Sequence, residues 1–198
     1  EQERMKQGYV WQDDDENMSL QAHTKALVRK FNSMPPEDME GREALLPEIF
    51  GKVGKNVWIT PPLTAAVGKY VSIGDGTYSN MNLTLIDDWK ITIGKNVLIG
   101  PNVTLCTTGH PIDPEHRGDG MYSFPITIGD NVWLGANVVV LPDVTIGENS
   151  VIGAGSIVTK DIPANCIAFG SPCKVYREIN EHDKEYYFKN HRFDEQPK

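Results

Sequence analysis

The residue best suited to chemistry is a histidine near the middle of the chain. His110 lies in the segment Thr107–Pro111, directly before a long stretch of irregular sequence. An imidazole takes up and releases a proton near neutral pH, so a histidine held rigidly beside a loop can remove a proton from an alcohol. A histidine with a purely structural role at the base of a loop is the alternative. The pattern therefore predicts a general base at His110, with that alternative left open.

Two short polar side chains precede this histidine, Asn80 and Asp88. Hydroxyl groups both donate and accept hydrogen bonds, so amide and carboxylate groups are suited to bind a ligand that carries them. The alternatives are an asparagine that adopts a left-handed turn and a corner carboxylate exposed to solvent. These two residues are candidates for binding a hydroxyl-bearing substrate.

Composition limits the class of partner. The chain has 198 residues, 39% of them hydrophobic, which is enough for one sizeable domain. Its net charge of −8 argues against nucleic acid or an anionic membrane as the main partner. Positive charge is nevertheless concentrated locally, as phosphate groups would require, although each of these residues could also be ordinary surface charge. They are Lys160, Lys174 and Arg177.

The chain carries no pattern of a secreted or membrane protein. Its first residues are polar and acidic, and no run approaches 18 apolar residues. The three cysteines contain no C-x-x-C pair, which is typical of free thiols in a reducing compartment. We therefore expect a cytoplasmic location.

Two other kinds of chemistry are disfavoured. Cys106 lies four residues before His110 and could act as a nucleophile, but it occupies a corner position where small residues are common. A zinc site with three histidine ligands, as in the gamma-type carbonic anhydrases, would need a third histidine in this region besides His110 and His116. We therefore expect no metal.

A repeated element must position the candidate residues. The pattern [Val/Ile]-Gly-[Lys/Asp/Glu]-[Asn/Gly] begins five times, at intervals of 20, 20, 35 and 18 residues. Within these intervals an aliphatic residue recurs at every sixth position, and 13 of 15 such positions are Val, Ile or Leu. The exceptions are Ala65 and Ser79. The five starts are Val53, Ile73, Ile93, Ile128 and Ile146.

A period of six fits neither an α-helix nor an ordinary strand, whose patterns repeat every 3.6 and every two residues. It fits a very short strand followed by a corner, and three such units close one triangular coil. We predict an all-β core, a parallel β-helix of about five coils over 53–170. A β-sandwich would show alternation with a period of two instead.

The spacing departs from regularity in two ways. The 20-residue coils carry two extra residues, which we expect around 71–72 and 91–92, where a bulge can absorb them. After His110 a protruding loop over 111–127 leaves the β-helix before the repeat resumes. Long excursions from a regular scaffold often carry function.

The flanking segments differ from the repeat. Residues 1–52 are predicted to form an N-terminal helical cap, with Ser19 capping one helix and a second helix after Pro35-Pro36. Helices over a coil end prevent pairing between exposed strand edges. Residues 171–198 are predicted to form a C-terminal arm with a short helix.

Seven segments of the chain resemble the galactoside O-acetyltransferase family, within the maltose/galactoside group of hexapeptide-repeat acetyltransferases. The similarity runs almost from end to end. Met121-Tyr122-Ser123-Phe124-Pro125 and the Arg-Glu-Ile of the last segment are typical of the galactoside branch. The segments are Asn80–Thr84, Ile99–Thr104, Thr108–Pro111, Met121–Pro125, Asn131–Gly135, Gly153–Pro163 and Pro172–Ile179.

The resemblance implies a left-handed β-helix, a homotrimer with active sites between subunits, and direct transfer from acetyl-CoA to a sugar hydroxyl, by analogy the 6-hydroxyl. His110 matches the catalytic base of the family. The positions matching acceptor-binding residues are Asp13, Asn80, Asp88 and Met121. The positions matching the acetyl-CoA site are Trp133, Ala136, Ala154, Thr159, Lys160, Lys174 and Arg177, and a backbone N–H at Ala136 is the expected oxyanion donor.

Three positions depart from the family pattern. Ala66 replaces a serine that contacts the sugar, Ala136 replaces a serine beside the cofactor, and Lys174 replaces an arginine. Because Ala66 lacks a polar sugar contact, the galactoside acceptor is less secure than acetyl transfer. A maltose- or glucose-type acceptor and a xenobiotic acceptor are alternatives, and a hexapeptide-repeat scaffold without catalysis is an alternative of another class.

Overall fold

Most of the chain winds into a parallel β-helix with three faces, as seen in a computed structural model that describes residues 1–195. Five coils each place one short strand on every face, and β18 begins a sixth, so the predicted β-helix of about five coils is confirmed. The strands of the first three coils are β1 (Lys52–Val53), β2 (Trp58–Ile59), β3 (Leu63–Ala65), β4 (Val71–Ile73), β5 (Tyr78–Ser79), β6 (Leu83–Ile86), β7 (Ile91–Ile93), β8 (Leu98–Ile99) and β9 (Thr104–Cys106).

The loop and the last coils follow in chain order. The loop contains β10 (Thr108–Gly109), a 3-10 helix (Arg117–Asp119) and β11 (Tyr122–Ser123). The last coils contain β12 (Ile126–Ile128), β13 (Trp133–Leu134), β14 (Val139–Val140), β15 (Thr145–Ile146), β16 (Val151–Ile152), β17 (Ile157–Val158) and β18 (Cys166–Gly170).

The first face has the strand order β1-β4-β7-β12-β15, the second β2-β5-β8-β13-β16-β18, and the third β3-β6-β9-β14-β17. All these strands pair in parallel. Ile91 pairs with Ile126 and Ile93 with Ile128, so the stack continues across the 35-residue interval. The loop therefore leaves the β-helix without disturbing it.

The residues at every sixth position form the interior. Fourteen of the 15 are buried and Val53 is half-buried. The two positions that break the aliphatic pattern, Ala65 and Ser79, are also buried, at 3% and 1% exposure. Stacked coils bury one another's aliphatic side chains, so the column is the core of the molecule.

The three faces differ in the residues that point outward. On the first face these are Lys52, Ser72, Thr92, Thr127 and Thr145, a polar row. On the second face they are Trp58, Tyr78, Leu98, Trp133, Val151 and Ile167, an apolar row. Several members of the apolar row are exposed, including Leu98 at 52% and Trp133 at 53%.

The corners depend on asparagines with left-handed backbone. Asn96, Asn131 and Asn149 have φ of 52°, 58° and 61°. Their side chains form a ladder between coils, from Asn96 to Asn131 (3.3 Å), Asn131 to Asn149 (2.9 Å) and Asn149 to Asn165 (2.8 Å). Asparagine tolerates this conformation better than other residues with a side chain, which explains its recurrence after the glycine of the repeat.

The extra residues of the 20-residue coils lie in the corners directly before 71–72 and 91–92, so the prediction that bulges absorb them is wrong. The strands there are regular, with Val71 paired to Ile91 and Ile73 to Ile93. The corners between the third and first faces are longer instead, at residues 66–70 and 87–90. A bulge inside the stack would break pairing with both neighbouring strands, whereas a corner can lengthen without that loss.

Three helices precede the β-helix: α1 (Gln2–Lys6), α2 (Asp15–Ser33) and α3 (Met39–Ile49). Asp14, not Ser19, caps α2, because its carboxylate accepts from the Asn17 N–H. Phe31 of α2 and Leu46 of α3 belong to the same buried cluster as the β-helix interior.

The chain after β18 folds back. Strand β19 (Cys173–Glu178) pairs antiparallel with β18, and α4 (Glu181–Glu185) begins with a capping box at Asn180. Strands β20 (Tyr186–Phe188) and β21 (His191–Arg192) form a hairpin, followed by a 3-10 helix (Phe193–Glu195). The last three residues of the predicted C-terminal arm lie outside the described residues. Within residues 1–195, no helix has the length and apolar composition that spanning a bilayer requires.

Candidate active site

The lengthened corner between the third and first faces carries two consecutive carboxylates. Asp87 is fully buried and accepts from the backbone N–H groups of Ala66 (2.7 Å), Val67 (3.2 Å) and Gly68. Burial raises the pKa of Asp87, and the three donors oppose that rise because they stabilise the charged form. Asp87 therefore holds two stacked corners together beneath its neighbour Asp88.

Asp88 is bound from the base of the loop. Thr108 Oγ1 lies 2.8 Å from Asp88 Oδ2. The side chain is mostly buried, with 8% of Asp88 exposed. Burial raises the pKa of Asp88, the hydrogen bond from Thr108 lowers it, the Asp13 carboxylate raises it and the Lys25 ammonium lowers it. Asp88 is thus a partly desolvated carboxyl with charged groups of both signs nearby.

His110 lies two residues beyond Thr108, directly after β10, which pairs with β11. Its Nδ1 is 3.2 Å from the carbonyl oxygen of Gly120. A carbonyl oxygen only accepts, so Nδ1 carries the hydrogen and the neutral ring has its lone pair on Nε2. The Gly120 carbonyl therefore orients the ring, a role for which the sequence indicated no residue. In the single chain the His110 side chain is exposed.

The segment before α2 binds the loop. Trp11 and Met121 exchange both backbone hydrogen bonds, at 2.9 and 2.8 Å. The Gln12 side chain donates to the Asp119 carbonyl at 2.8 Å. Asp13 follows directly and is close enough to Asp88 to affect its pKa. Four predicted site residues therefore surround the base of the loop: Asp13, Asp88, His110 and Met121.

The second group of predicted residues lies in a groove of about 610 Å³. The groove follows the apolar second face and its corner with the third face. Four predicted site residues line it, Asn80, Trp133, Ala136 and Ala154. Another cavity of about 510 Å³, between α2 and β3, contains none of the predicted residues.

The remaining predicted residues lie on exposed parts of the last coils and the tail. Thr159, Lys160 and Lys174 are exposed. Arg177 forms a two-pronged ion pair with Asp183, in which Nη1 and Nη2 lie 2.6 and 2.7 Å from the carboxylate oxygens. That pair lowers the pKa of Asp183 and holds Arg177 against the start of α4.

The two main groups occupy different edges of the β-helix. The groove lies at the corner between the second and third faces, whereas Asp88 and His110 lie where the third face gives way to the first. Asn80 is therefore separated from Asp13 and Asp88, although all three match acceptor-binding positions. In one chain the structure does not bring the groove and the histidine together.

Several residues of the site were not predicted as functional. Trp11 is buried and its Nε1 donates to Ser123 Oγ at 3.0 Å. Ser123 Oγ in turn lies 2.8 Å from Thr108 Oγ1. Their partners are up to 112 positions apart, so no local spacing could have identified them. Gly120 carried no signal beyond being a glycine in a loop.

The contacts of Cys106 and His116 bear on the two kinds of chemistry that the sequence disfavours, a cysteine nucleophile and a zinc site. Cys106 Sγ donates to the Thr108 carbonyl at 3.2 Å, and no imidazole in the described part of the chain accepts from it. His116 pairs with Asp119 at 2.8 Å. Among residues 1–195, no three His, Cys, Asp or Glu side chains are grouped so that they could hold a metal ion.

Comparison with known families gives two matches within the chain. The model of the maltose acetyltransferase hexapeptide capping motif matches residues 4–54. The bacterial transferase hexapeptide model, with six repeats, matches residues 125–160. The first covers most of α1 and all of α2, α3 and β1, and the second covers the coils after the loop.

Individual proteins match over nearly the whole length. Galactoside O-acetyltransferase of Escherichia coli K12 is 53% identical over 192 residues, which are 96% of this chain and 95% of that protein. A solved galactoside acetyltransferase in complex with coenzyme A has a TM-score of 0.95 at 52% identity, covering 96% of both chains. A maltose O-acetyltransferase from Clostridium difficile 630 has a TM-score of 0.89 at 40% identity, covering 91% of this chain and 98% of that one.

Proposed function

Because the chain belongs to the maltose/galactoside group of hexapeptide-repeat acetyltransferases, we propose that it transfers the acetyl group of acetyl-CoA to a hydroxyl of a galactoside or related sugar, with His110 as general base. Acetyl-CoA is a co-substrate of this reaction, and the reaction needs no metal. The observation that carries the role of His110 is the contact between its Nδ1 and the Gly120 carbonyl.

In the proposed reaction, Nε2 of His110 removes the proton from the sugar hydroxyl, by analogy the 6-hydroxyl. The hydroxyl oxygen attacks the thioester carbonyl carbon, and the bond from that carbon to sulfur then breaks. The proton on Nε2 passes to the departing thiolate, so that coenzyme A leaves as a thiol and the imidazole is neutral again. Positioned proton transfer of this kind contributes roughly 10²–10⁴-fold in rate.

The groove on the second face is suited to acetyl-CoA. Its walls are mainly apolar, as a pantetheine arm requires, with Trp133 and Ala154 among them. The backbone N–H of Ala136 makes no backbone hydrogen bond within residues 1–195, so it is available to stabilise the oxyanion. Two exposed lysines, an exposed hydroxyl and a half-buried arginine beyond the groove would bind the phosphates: Lys160, Lys174, Thr159 and Arg177. Arg177 would have to bind phosphate while it remains paired with Asp183.

The proposed acceptor site is formed by Asp13, Asp88 and Met121 around His110. Asn80 would be contributed by the groove of a neighbouring subunit. Because Ala66 lacks a hydroxyl and its N–H is bound to Asp87, it offers a sugar no polar side-chain contact. A maltose- or glucose-type acceptor therefore remains a second candidate, which the likeness to a maltose O-acetyltransferase favours.

We also propose a homotrimer with active sites between subunits. The groove and the histidine lie at different corners of one chain, so a complete site needs the groove of one subunit beside the histidine of the next. The exposed apolar row on the second face supports such contacts. All three cysteines are free thiols, which supports a cytoplasmic location.

The test measures thiol release from acetyl-CoA with a panel of galactosides, glucosides and maltose. We expect His110→Ala to reduce the rate by about 10²-fold or more, because it removes the base. His116→Ala is the matched control, since His116 is an exposed imidazole in the same loop that pairs with Asp119. Equal rates for wild type and His110→Ala would contradict the proposal, and the panel identifies the preferred sugar.

A further inference from the structure

A chain of four side chains connects the segment before α2 to Asp88. Trp11 Nε1 is 3.0 Å from Ser123 Oγ, which is 2.8 Å from Thr108 Oγ1, which is 2.8 Å from Asp88 Oδ2. Trp11 and Ser123 are each 1% exposed and Asp88 is 8% exposed. The four groups therefore satisfy one another with little help from solvent.

The number of hydrogens available fixes the direction of the chain. An indole N–H can only donate, and each hydroxyl has one hydrogen to give. If Asp88 is ionised, Trp11 donates to Ser123, Ser123 to Thr108 and Thr108 to Asp88, so every hydrogen has an acceptor. Thr107 donates its own hydrogen to the Ile86 carbonyl at 2.9 Å, and its oxygen is 3.4 Å from Thr108 Oγ1, farther away than Asp88 Oδ2 or Ser123 Oγ.

The opposite order makes poorer hydrogen bonds. If Asp88 were protonated and donated to Thr108, then Thr108 could donate to Ser123, and the Ser123 hydrogen would have no acceptor among the described residues. Thr108 could instead donate to Thr107 Oγ1, but that contact is 3.4 Å long, against 2.8 Å to Asp88 Oδ2. Both arrangements are less favourable than the order that ends on the carboxylate, so the chain stabilises the carboxylate form against the effect of burial.

We propose that Trp11, Ser123 and Thr108 are positioning residues that hold Asp88 as a carboxylate. Its Oδ2 accepts from Thr108, and its Oδ1 is left to accept a hydrogen bond from a hydroxyl of the sugar. Within the part of the chain described, Oδ1 receives no hydrogen bond from another residue. This inference rests on the proposed function, in which Asp88 binds the acceptor. A carboxylate cannot donate, so the site selects a sugar group that can donate to it.

The charged groups nearby do not replace this chain. Asp13 lies on the segment before α2 and opposes ionisation of Asp88, whereas Lys25 of α2 favours it. Both side chains are exposed, so solvent weakens their effects on Asp88. The Thr108 hydroxyl is in direct contact and is the largest influence that lowers the pKa of Asp88.

The test replaces Thr108 by residues of matched shape. Thr108→Val keeps the volume and removes the hydroxyl, whereas Thr108→Ser keeps the hydroxyl and removes a methyl group. We expect Thr108→Val to raise the KM for the acceptor by about 10-fold or more, with the KM for acetyl-CoA changed less than about twofold. As the pH is lowered, the acceptor KM of Thr108→Val should also begin to rise at a higher pH than that of wild type, because the bond that lowers the pKa of Asp88 is gone.

Thr108→Ser should keep both the acceptor KM and its dependence on pH. Thr92→Val, on the polar first face, controls for the loss of an exposed threonine hydroxyl elsewhere. Asp88→Asn separates the two proposals, since an unchanged acceptor KM in that variant would refute acceptor binding by Asp88. If Asp88→Asn raises the acceptor KM but Thr108→Val behaves like Thr108→Ser, the positioning chain is refuted and the proposed function stands.

Discussion

The orientation of the imidazole that we propose as general base depends on a residue that has no side chain. Gly120 has a φ of 146°, in the region that favours glycine. A Cβ at this position would overlap the Trp11 carbonyl oxygen and lie 2.9 Å from Val10 Cγ1. The Gly120 carbonyl, which accepts from His110 Nδ1, is therefore held where the loop packs against the segment before α2.

We expect Gly120→Ala to lower kcat by about 10–100-fold, because a small displacement of a general base is costly and the new Cβ must displace the loop. The KM for acetyl-CoA should change little, since the groove lies at another corner. The measurement is steady-state kinetics with both substrates varied. Gly118→Ala is the matched control in the same loop, where a Cβ would meet nothing within 4 Å. Similar kcat values for the two variants would contradict this role of Gly120.

At this scale the sequence predicted some residues and could not predict others. His110, Asp88 and Asp13 follow from residue type or from resemblance, and the structure places all three around one loop. Gly120 and Trp11 act through contacts between segments far apart in the chain. Such contacts depend on how the folded segments meet, which neither spacing nor residue type records.

At the scale of elements, the corners of the β-helix are as specific as its strands. The period of six predicted the inward column because every coil repeats the same environment. It did not locate the extra residues, since a shift of two within a corner leaves the aliphatic column unchanged. Those extra residues are what place Asp87 and Asp88 at the corner beside the loop.

The asparagine ladder should contribute measurably to stability. Asn131 has a φ of 58° and bonds to the asparagines of both neighbouring coils. We expect Asn131→Ala to destabilise the protein by about 1–2 kcal/mol, because it combines left-handed strain with the loss of side-chain hydrogen bonds.

Asn131→Gly is the matched control for that prediction, since glycine adopts the left-handed conformation freely and loses only the ladder contacts. It should be more stable than Asn131→Ala by about 1 kcal/mol. Urea unfolding at one fixed protein concentration measures the difference, because the proposed assembly would make the midpoint depend on concentration. Alanine as stable as glycine at this position would mean that the left-handed backbone carries no cost.

At the scale of the whole molecule, the division of the site between two corners and the apolar second face have one explanation. The groove holds Trp133 and Asn80 but no imidazole, and the loop holds the proposed base but no groove. In a ring of three chains, each apolar face can be covered by a neighbour while its groove meets that neighbour's loop. The exposure of His110 in a single chain would be reduced by the same contact.

We therefore expect the wild-type protein to have the mass of three 22.1 kDa chains, about 66 kDa, by light scattering or sedimentation. Leu98→Lys places a charge in the apolar row, and burying that charge unpaired is unfavourable, so it should shift the protein toward the mass of one chain. Thr92→Lys makes the same charge change in the same coil on the polar first face, and it should leave the mass unchanged.

A wild type with the mass of one chain would contradict the trimer, and an unchanged mass in Leu98→Lys would show that the second face is not the interface. If acetyl transfer also falls as Leu98→Lys dissociates and recovers at higher protein concentration, the site is shared between subunits, because only assembly depends on concentration.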